Sequence, residues 1–357
     1  MPHRRGRRLV TALVCLTVIP AGLGPSRAAD GPPYPPRQVP ARSIPVPTTV
    51  SPQLQKIIGQ PIGDDWKEAP GTPDAWKARV SEDAKSTIAR LPALREALGV
   101  SLQPTTIAGV KAFILTPKTI PPRNHNRLLL HLHGGYRVYN PGEAGTREAT
   151  LMAALGGFKV ISVDYRMPPD FPFPAAIDDA LAVYRELLKT HPARNIGIFG
   201  TSAGGSLTLT TLLRAKAEHV PMPGAIAPST PTADLTKTGD SYFTNDFIDN
   251  TLVSRDGFVE ATIALYANGH DLRDPLVSPV YGDMRGFPPA ILTSGTRDLY
   301  LSNAVRVHRK LRAAGVEALL QVWEGLSHSQ WLRDPDAPET REYHAEVARF
   351  FDQHLGR

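Results

Sequence analysis

Apolar runs of β character, at 107–116, 128–132, 160–163, 196–199, 225–227, 291–294 and 319–323, alternate along the chain with segments of helical spacing. Several are continuously apolar rather than alternating, as strands are when helices bury both of their faces. The pattern predicts a mostly parallel central sheet in a doubly covered α/β domain. One connection breaks the rhythm. About sixty residues separate the run at Ala225 from the run at Ile291, far more than an ordinary crossover needs, and they include a helical pattern over 255–267. An insertion there, at about 229–285, predicts a cap over the carboxyl edge of the sheet. Between Leu54 and Leu98, Trp76, Val80, Ala84 and Ile88, then Leu91, Leu94 and Leu98, recur at helical spacing before Gly99 as a stop. Two or three helices over 53–100 should therefore join the cap, ahead of the main domain at 101–357. A last helix over 340–355 places Val347, Phe350, Phe351 and Leu355 on one face, as core packing.

The start of the chain has a different texture. Arg4, Arg5, Arg7 and Arg8 precede an apolar run over 9–19, and Ser26 and Ala28 supply small residues at a cleavage site. Residues 1–28 read as an export signal, too short to span a bilayer, which places the mature protein in the periplasm or outside the cell. The eight prolines between Asp30 and Pro52 predict an extended tether over 29–52.

The 357 residues carry a formal charge of +6, but 1–28 hold five arginines and no acid, leaving 35 basic against 34 acidic residues. A body that near neutrality has no electrostatic footprint for nucleic acid. The single cysteine, Cys15, lies in the leader, so the mature chain should hold no disulfide, cysteine nucleophile or thiolate metal site.

Chemistry concentrates in Gly200-Thr201-Ser202-Ala203-Gly204, between the run 196–199 and a helical pattern. Glycines two residues either side of a serine allow a sharp strand-to-helix turn that presents the hydroxyl at the sheet's carboxyl edge. Such a hydroxyl needs a base, and the base an orienting acid; in this kind of fold they follow the serine in the order acid, then histidine. Asp298 lies just past the run at Ile291, and His328 just past the run at Leu319. Asp271, Asp274, His270, His308, His344 and His354 fit capping, turn, core or solvated positions better. His131-Leu132-His133-Gly134-Gly135-Tyr136 offers a glycine loop after the run at Leu128, where bare N–H groups and that of Ala203 can face a developing oxyanion. His133 reads as a pin for that loop, and His131 as a satisfied core residue.

The glycine loop, Asp164-Tyr165-Arg166-Met167-Pro168-Pro169, Gly-Thr-Ser-Ala-Gly-Gly, Asp274-Pro275-Leu276-Val277-Ser278-Pro279 and Gly325-Leu326-Ser327-His328 together resemble the bacterial hormone-sensitive-lipase-type esterases of the α/β-hydrolase fold. Thr201 and the stretch 293–303 further resemble an ε-lactone hydrolase subgroup. The resemblance implies an α/β-hydrolase fold with a helical cap, Ser202 as nucleophile, Asp298 as acid and His328 as base. It also implies Gly134, Gly135 and Ala203 as oxyanion donors, with no cofactor and no metal. Two departures from the family stand out: Tyr136 replaces a third small residue, and Ser329-Gln330 replaces the usual Gly-Phe. The expected reaction is hydrolysis of short to medium carboxylic esters or lactones through an acyl-enzyme, with homodimerisation open. The alternative is a ligand-binding protein that keeps the fold without turnover.

Overall fold

The computed structural model of the chain describes Met1 and residues 35–356. Apart from Met1, the expected leader lies outside the described residues, as do residues 29–34 of the expected tether. The chain divides into two units, Met1–Ser43 and Ile44–Arg357; residues 35–43 of the first are exposed and have no regular secondary structure.

In the second unit, β1 (Val100–Ile107), β2 (Val110–Pro117), β3 (Leu128–Leu132), β4 (Lys159–Val163), β5 (Ile196–Thr201), β6 (Ala225–Ser229), β7 (Ala290–Gly295) and β8 (Ala318–Trp323) form one sheet. Its order is β1-β2-β4-β3-β5-β6-β7-β8, antiparallel through β1, β2 and β4 and parallel from β4 to β8. The helices are α1 (Pro52–Ile58), α2 (Pro73–Ile88), α3 (Leu91–Leu98), α4 (Arg147–Gly156), α5 (Ala175–Leu187), α6 (Ala203–Ala217), α7 (Ser241–Thr244), α8 (Phe258–Ala267), α9 (Leu301–Ala313) and α10 (Pro338–His354). Leu128, Leu130 and Leu132 of β3 pack into one apolar layer with Ile177 of α5 and Leu207 of α6. Leu129 points into the other, with Met152 of α4 and Phe351 of α10. Both faces are dry, so the strand is apolar at nearly every position.

The run at 107–116 is the second arm of a hairpin whose first arm, β1, the periodicity missed. Pro104 interrupts β1, and half of its residues are exposed and only Val100 is buried, both compatible with a strand at the sheet's edge. Ala108 (φ 51°) and Gly109 (φ 80°) close the two-residue turn in the left-handed region that such hairpins favour.

Helices α1, α2 and α3 precede the sheet, and Gly99 ends α3 in the left-handed conformation at φ 64°. The insertion between β6 and β7 carries α7 and α8. Helix α8 begins at Phe258 rather than 255 because the chain turns at Gly257 (φ 65°), where a Cβ would stand 2.4 Å from the carbonyl oxygen of Trp66. Arg255, expected in the helix, is buried instead, with its guanidinium on the carbonyl of Leu235 (2.7 Å) and on Glu260. The N-terminal helices and the insertion meet through rings: Trp76 lies 5.5 Å from Phe258, and Trp66 stands edge-on to Phe247 at 5.2 Å.

Residues 44–51, read from sequence as the end of a tether, are a strap on the body. Val50 is buried, Arg297 Nη2 donates to the carbonyl of Pro45 (2.7 Å), and the Ser51 N–H donates to Glu339 (2.7 Å). Pro47 packs so closely on Gly325 that a Cβ there would stand 2.8 Å from it. Proline content predicted the extended backbone, but it carried no information about what the apolar Val50 would find.

Candidate active site

Ser202 follows β5 and precedes α6, with φ 62° and ψ −120°, a conformation that costs a non-glycine residue free energy. The turn is this sharp because β3 passes directly beside it. A Cβ on Gly200 would stand 2.1 Å from the carbonyl oxygen of Leu132, and one on Gly204 1.8 Å from the same atom, so only glycine fits either position. Both sides of the serine are tied to β6 and its continuation: Ser202 N–H donates to Ser229 O (2.9 Å), and Ser202 O accepts from Thr232 N–H (3.2 Å).

Beneath the turn, Thr201 donates its hydroxyl to Glu148 Oε1 (2.6 Å) and its N–H to Oε2 (3.2 Å). The same carboxylate meets His131 Nε2 at 3.2 Å, and His131 Nδ1 meets the Ser162 hydroxyl at 2.9 Å. His131 is thus a satisfied core residue, part of a buried polar network that supports the residue before the serine.

The glycine loop is set by its carbonyls. The Tyr165 hydroxyl donates to His133 O (2.6 Å), and Asn140 Nδ2 donates to Gly134 O (3.0 Å). In a planar trans peptide the N–H points opposite the carbonyl, so pinning these oxygens turns the N–H groups of Gly134 and Gly135 the other way. The bonds to Ser202 O, from Thr232 N–H and Ser206 N–H (3.1 Å), do the same for the N–H of Ala203. None of these three N–H groups has a protein acceptor among the described residues. His133 is buried and stacked on Tyr165 at 4.1 Å, its Nδ1 2.9 Å from Gly134 O. Burial pulls its pKa down to about 3, so it is a neutral pin for the loop.

Asp298 and His328, on the loops after β7 and β8, meet with Nδ1 3.0 Å from Oδ1. Asp298 is fully buried and uses both oxygens twice. Oδ1 also accepts from Tyr300 N–H (2.8 Å), and Oδ2 accepts from the hydroxyls of Ser294 (2.8 Å) and Thr230. Burial pushes this carboxyl up, but the charge and hydrogen bond of His328, with the Thr230 hydroxyl and the Tyr300 N–H, hold it below the ordinary carboxylate range. The Thr230 hydroxyl lies 3.1 Å from His328 Nδ1, and Thr230 sits between the two residues that tether Ser202. The structure therefore gathers Ser202, Asp298 and His328 at one edge of the sheet. No direct hydrogen bond joins the Ser202 hydroxyl to His328; among the described residues His328 Nε2 has no partner, and both residues line one cavity. Such bonds are commonly long in an empty site and tighten around substrate.

That cavity, about 620 Å³, is walled by Gly134, Gly135 and Tyr136 on the sheet side and by Trp66, Leu252 and Phe258 from the cap. Tyr136 (φ 57°) puts its ring edge-on to Phe258 at 5.5 Å, filling space that a smaller residue would leave open. Ser329 lines the cavity, whereas Gln330 is buried behind it, donating to Asn250 Oδ1 (2.6 Å) and accepting from Ser327 N–H (2.7 Å).

Sequence reasoning missed Asp249, a fully buried carboxylate in the insertion. It accepts from the N–H groups of Thr251 (2.8 Å), Leu252 (3.0 Å), Leu299 (2.9 Å) and His328 (3.3 Å), so it ties the cap wall to the loops that bear Asp298 and His328. Burial and neighbouring Asp298 raise its pKa, against the opposing pull of His328 and of the Leu299 and Leu252 N–H groups. No local motif marks it. The rejected rivals lie outside the cavity: Asp271 and Asp274 cap turns, His308 meets Ala318 O (3.2 Å), His344 meets Thr340 O (2.7 Å), His354 pairs with Glu317 (3.5 Å), and His270 packs on Phe173. Among the described residues no three His, Cys, Asp or Glu side chains stand together as metal ligands, and no helix is long and apolar enough to cross a membrane.

A serine raised on a strained strand-to-helix turn, at the carboxyl edge of a mostly parallel sheet and across from an Asp–His pair, is the arrangement of an α/β-hydrolase. The chain belongs to that family: the model of the alpha/beta hydrolase fold matches residues 129–332. It is similar to the crystal structure of an esterase, E25, at 44% identity and a TM-score of 0.87, covering 90% of this chain and 99% of that one. It is also similar to the crystal structure of an esterase from the bacterial hormone-sensitive lipase family, at 28% identity and a TM-score of 0.74, over 86% and 99%. An acetyl-hydrolase of Streptomyces hygroscopicus is 31% identical over 62% of this chain and 74% of its own length. The hormone-sensitive-lipase resemblance read from the motifs thus holds at the level of the family.

Proposed function

We propose that the protein hydrolyses carboxylic esters through an acyl-enzyme on Ser202. The Ser202 oxygen attacks the ester carbonyl while His328 Nε2 takes its proton; Asp298 holds Nδ1 and stabilises the imidazolium. The carbonyl oxygen becomes an oxyanion facing the N–H groups of Gly134, Gly135 and Ala203. As the tetrahedral species collapses, His328 gives the proton to the leaving alkoxide. Water, deprotonated by the same imidazole, then releases the acid and restores Ser202.

The observation that carries this reading is the orphaned His328 Nε2 in the cavity that Ser202 lines, with Nδ1 already committed to Asp298. The names of the similar proteins, esterases and an acetyl-hydrolase, support ester hydrolysis and a short acyl group. The cavity of about 620 Å³, walled by rings from the cap, supports small soluble esters over emulsified triglyceride. Lactones are included on the strength of Thr201 and the stretch 293–303 alone, and a panel of caprolactone-type rings against linear esters tests them. Export rests on the composition of residues 1–28, and mass spectrometry of the mature N-terminus tests it.

The deciding experiment is hydrolysis of p-nitrophenyl acetate and butyrate by wild type and by Ser202→Ala. The expected loss in kcat is roughly 10³–10⁶-fold. Equal rates above the uncatalysed background would remove Ser202 as nucleophile, and no hydrolysis above that background by either protein would leave a ligand-binding protein on this fold.

A further inference from the structure

One end of the cavity carries positive charge that the reaction above does not use. Arg147 is the first residue of α4, where the positive end of the helix dipole makes a cation unfavourable. Its guanidinium donates from Nε and Nη2 to the carbonyl of Leu332 (3.1 and 3.0 Å) and from Nη2 to that of Arg333 (2.9 Å). These acceptors are neutral, and no carboxylate pairs with Arg147 among the described residues. Burial lowers its pKa, Arg333 and Arg90 push it the same way, and Asp334 pulls against them. The Arg333 side chain is exposed and makes neither ion pair nor hydrogen bond among the described residues.

Of the acids near this end, Asp334 accepts from the N–H of Asp336 (2.9 Å) and forms no ion pair among the described residues, and two more are committed elsewhere. Glu148, the next residue, spends its carboxylate on Thr201 and His131, and Glu143 pairs with Arg95 at 3.2 Å. The other acids of the lining, Asp65 and Asp83, come from the N-terminal cap segment, where Asp83 has Arg79 one helical turn away. The basic end also flanks the reacting groups in the chain. Glu148, bonded to the residue before Ser202, follows Arg147, and Leu332 and Arg333 follow His328 by four and five positions. Arg147 and Arg333 both line the cavity with Ser202 and His328. A cation placed against a helix dipole, left unneutralised and opened to a reaction cavity breaks a local rule of stability where function can compensate.

We propose that Arg147 and Arg333 bind a free carboxylate on the substrate, so that the preferred substrates are small esters bearing a second, ionised acid group. This rests on the esterase reading and specifies its substrate class. The carboxylate can sit on the acyl side or on the alcohol side, and matched pairs separate the two. The p-nitrophenyl monoester of glutaric acid is compared with p-nitrophenyl pentanoate, and 4-acetoxybenzoate with its methyl ester. The readout is the ratio of kcat/KM, anionic over neutral, in each pair.

In wild type the ratio exceeds one for at least one pair and falls with added salt. Arg333→Gln lowers it about three- to tenfold, and Arg333→Lys retains most of it. Arg147→Gln lowers it further; should that variant not fold, the Arg333 pair decides alone. A wild-type ratio below one in both pairs, or a ratio that Arg333→Gln leaves unchanged, overturns the proposal. Failure of the esterase reading looks different, because Ser202→Ala then retains activity on the neutral esters too.

Discussion

Around Ser202 the main chain does nearly all of the positioning. Gly200 and Gly204 are compressed against Leu132, the carbonyls of His133 and Gly134 are pinned, and the serine's own peptide groups are bonded to β6 and its continuation. The cap side of the same cavity is built otherwise. One buried carboxylate, Asp249, and a group of rings hold residues 250–253 and Phe258 in place, while Phe243 and Phe247 stay more than half exposed. A main-chain framework tolerates no added atom, whereas a side-chain framework can be retuned one residue at a time. The reaction should therefore fail sharply when the sheet side is altered, and the substrate range should drift when the cap is.

The largest test of that contrast is His328→Ala, on the sheet side, with a fall in kcat for p-nitrophenyl acetate of roughly 10³–10⁶-fold and little change in KM. A loss of only a few fold would sink the proton-transfer role. Next is acid titration. Buried His133 and His344 have pKa values lowered to about 3 and about 4, against near 6.5 when unfolded. Between those values the unfolded chain binds more protons, so their contribution is full above about pH 6.5 and shrinks as pH falls, by at most about 1.4 kcal/mol per pH unit for each histidine. Denaturant midpoints from pH 7 to pH 4 measure the slope; His344→Gln should flatten it, and an unchanged slope would exclude that residue as a source.

Asp249→Asn probes the join between the two sides. An amide cannot accept all four N–H bonds, so stability should drop by about 1–3 kcal/mol, and kcat by about tenfold to a hundredfold as the His328 backbone loses its acceptor. Unaltered turnover would confine Asp249 to holding the cap. The smallest effect belongs to the rings: Phe258→Ala should raise KM for butyrate about three- to tenfold while kcat moves less. A collapse of kcat instead would mean that the cap orders the reacting groups and that the contrast drawn above is too sharp.

The same contrast explains what the chain revealed before its fold was known. Strands β3 to β7 were legible because burial on both faces writes a largely apolar run, β8 because its half-exposed edge still carries β-rich residues over 319–323, and the surroundings of Ser202 because only glycine fits beside Leu132. Asp298 and His328 followed from position at the ends of such runs. Strand β1 was not legible, since an exposed edge with Pro104 leaves almost no pattern. Nor were Thr230, Glu148 and Asp249: each acts through partners distant in sequence, and an isolated acid or hydroxyl looks the same whether it faces water or a buried N–H. Residues 44–51 were read as tether for a related reason, because proline content describes stiffness and says nothing of what Val50 packs against.

That strap sets a limit on processing. Its contacts fall on Arg297, next to Asp298, and on Gly325, three residues before His328. A cut between Pro45 and Val50 would unclasp the rear of both loops. Chains cut within this strap would then differ in turnover as well as in mass from chains that keep it.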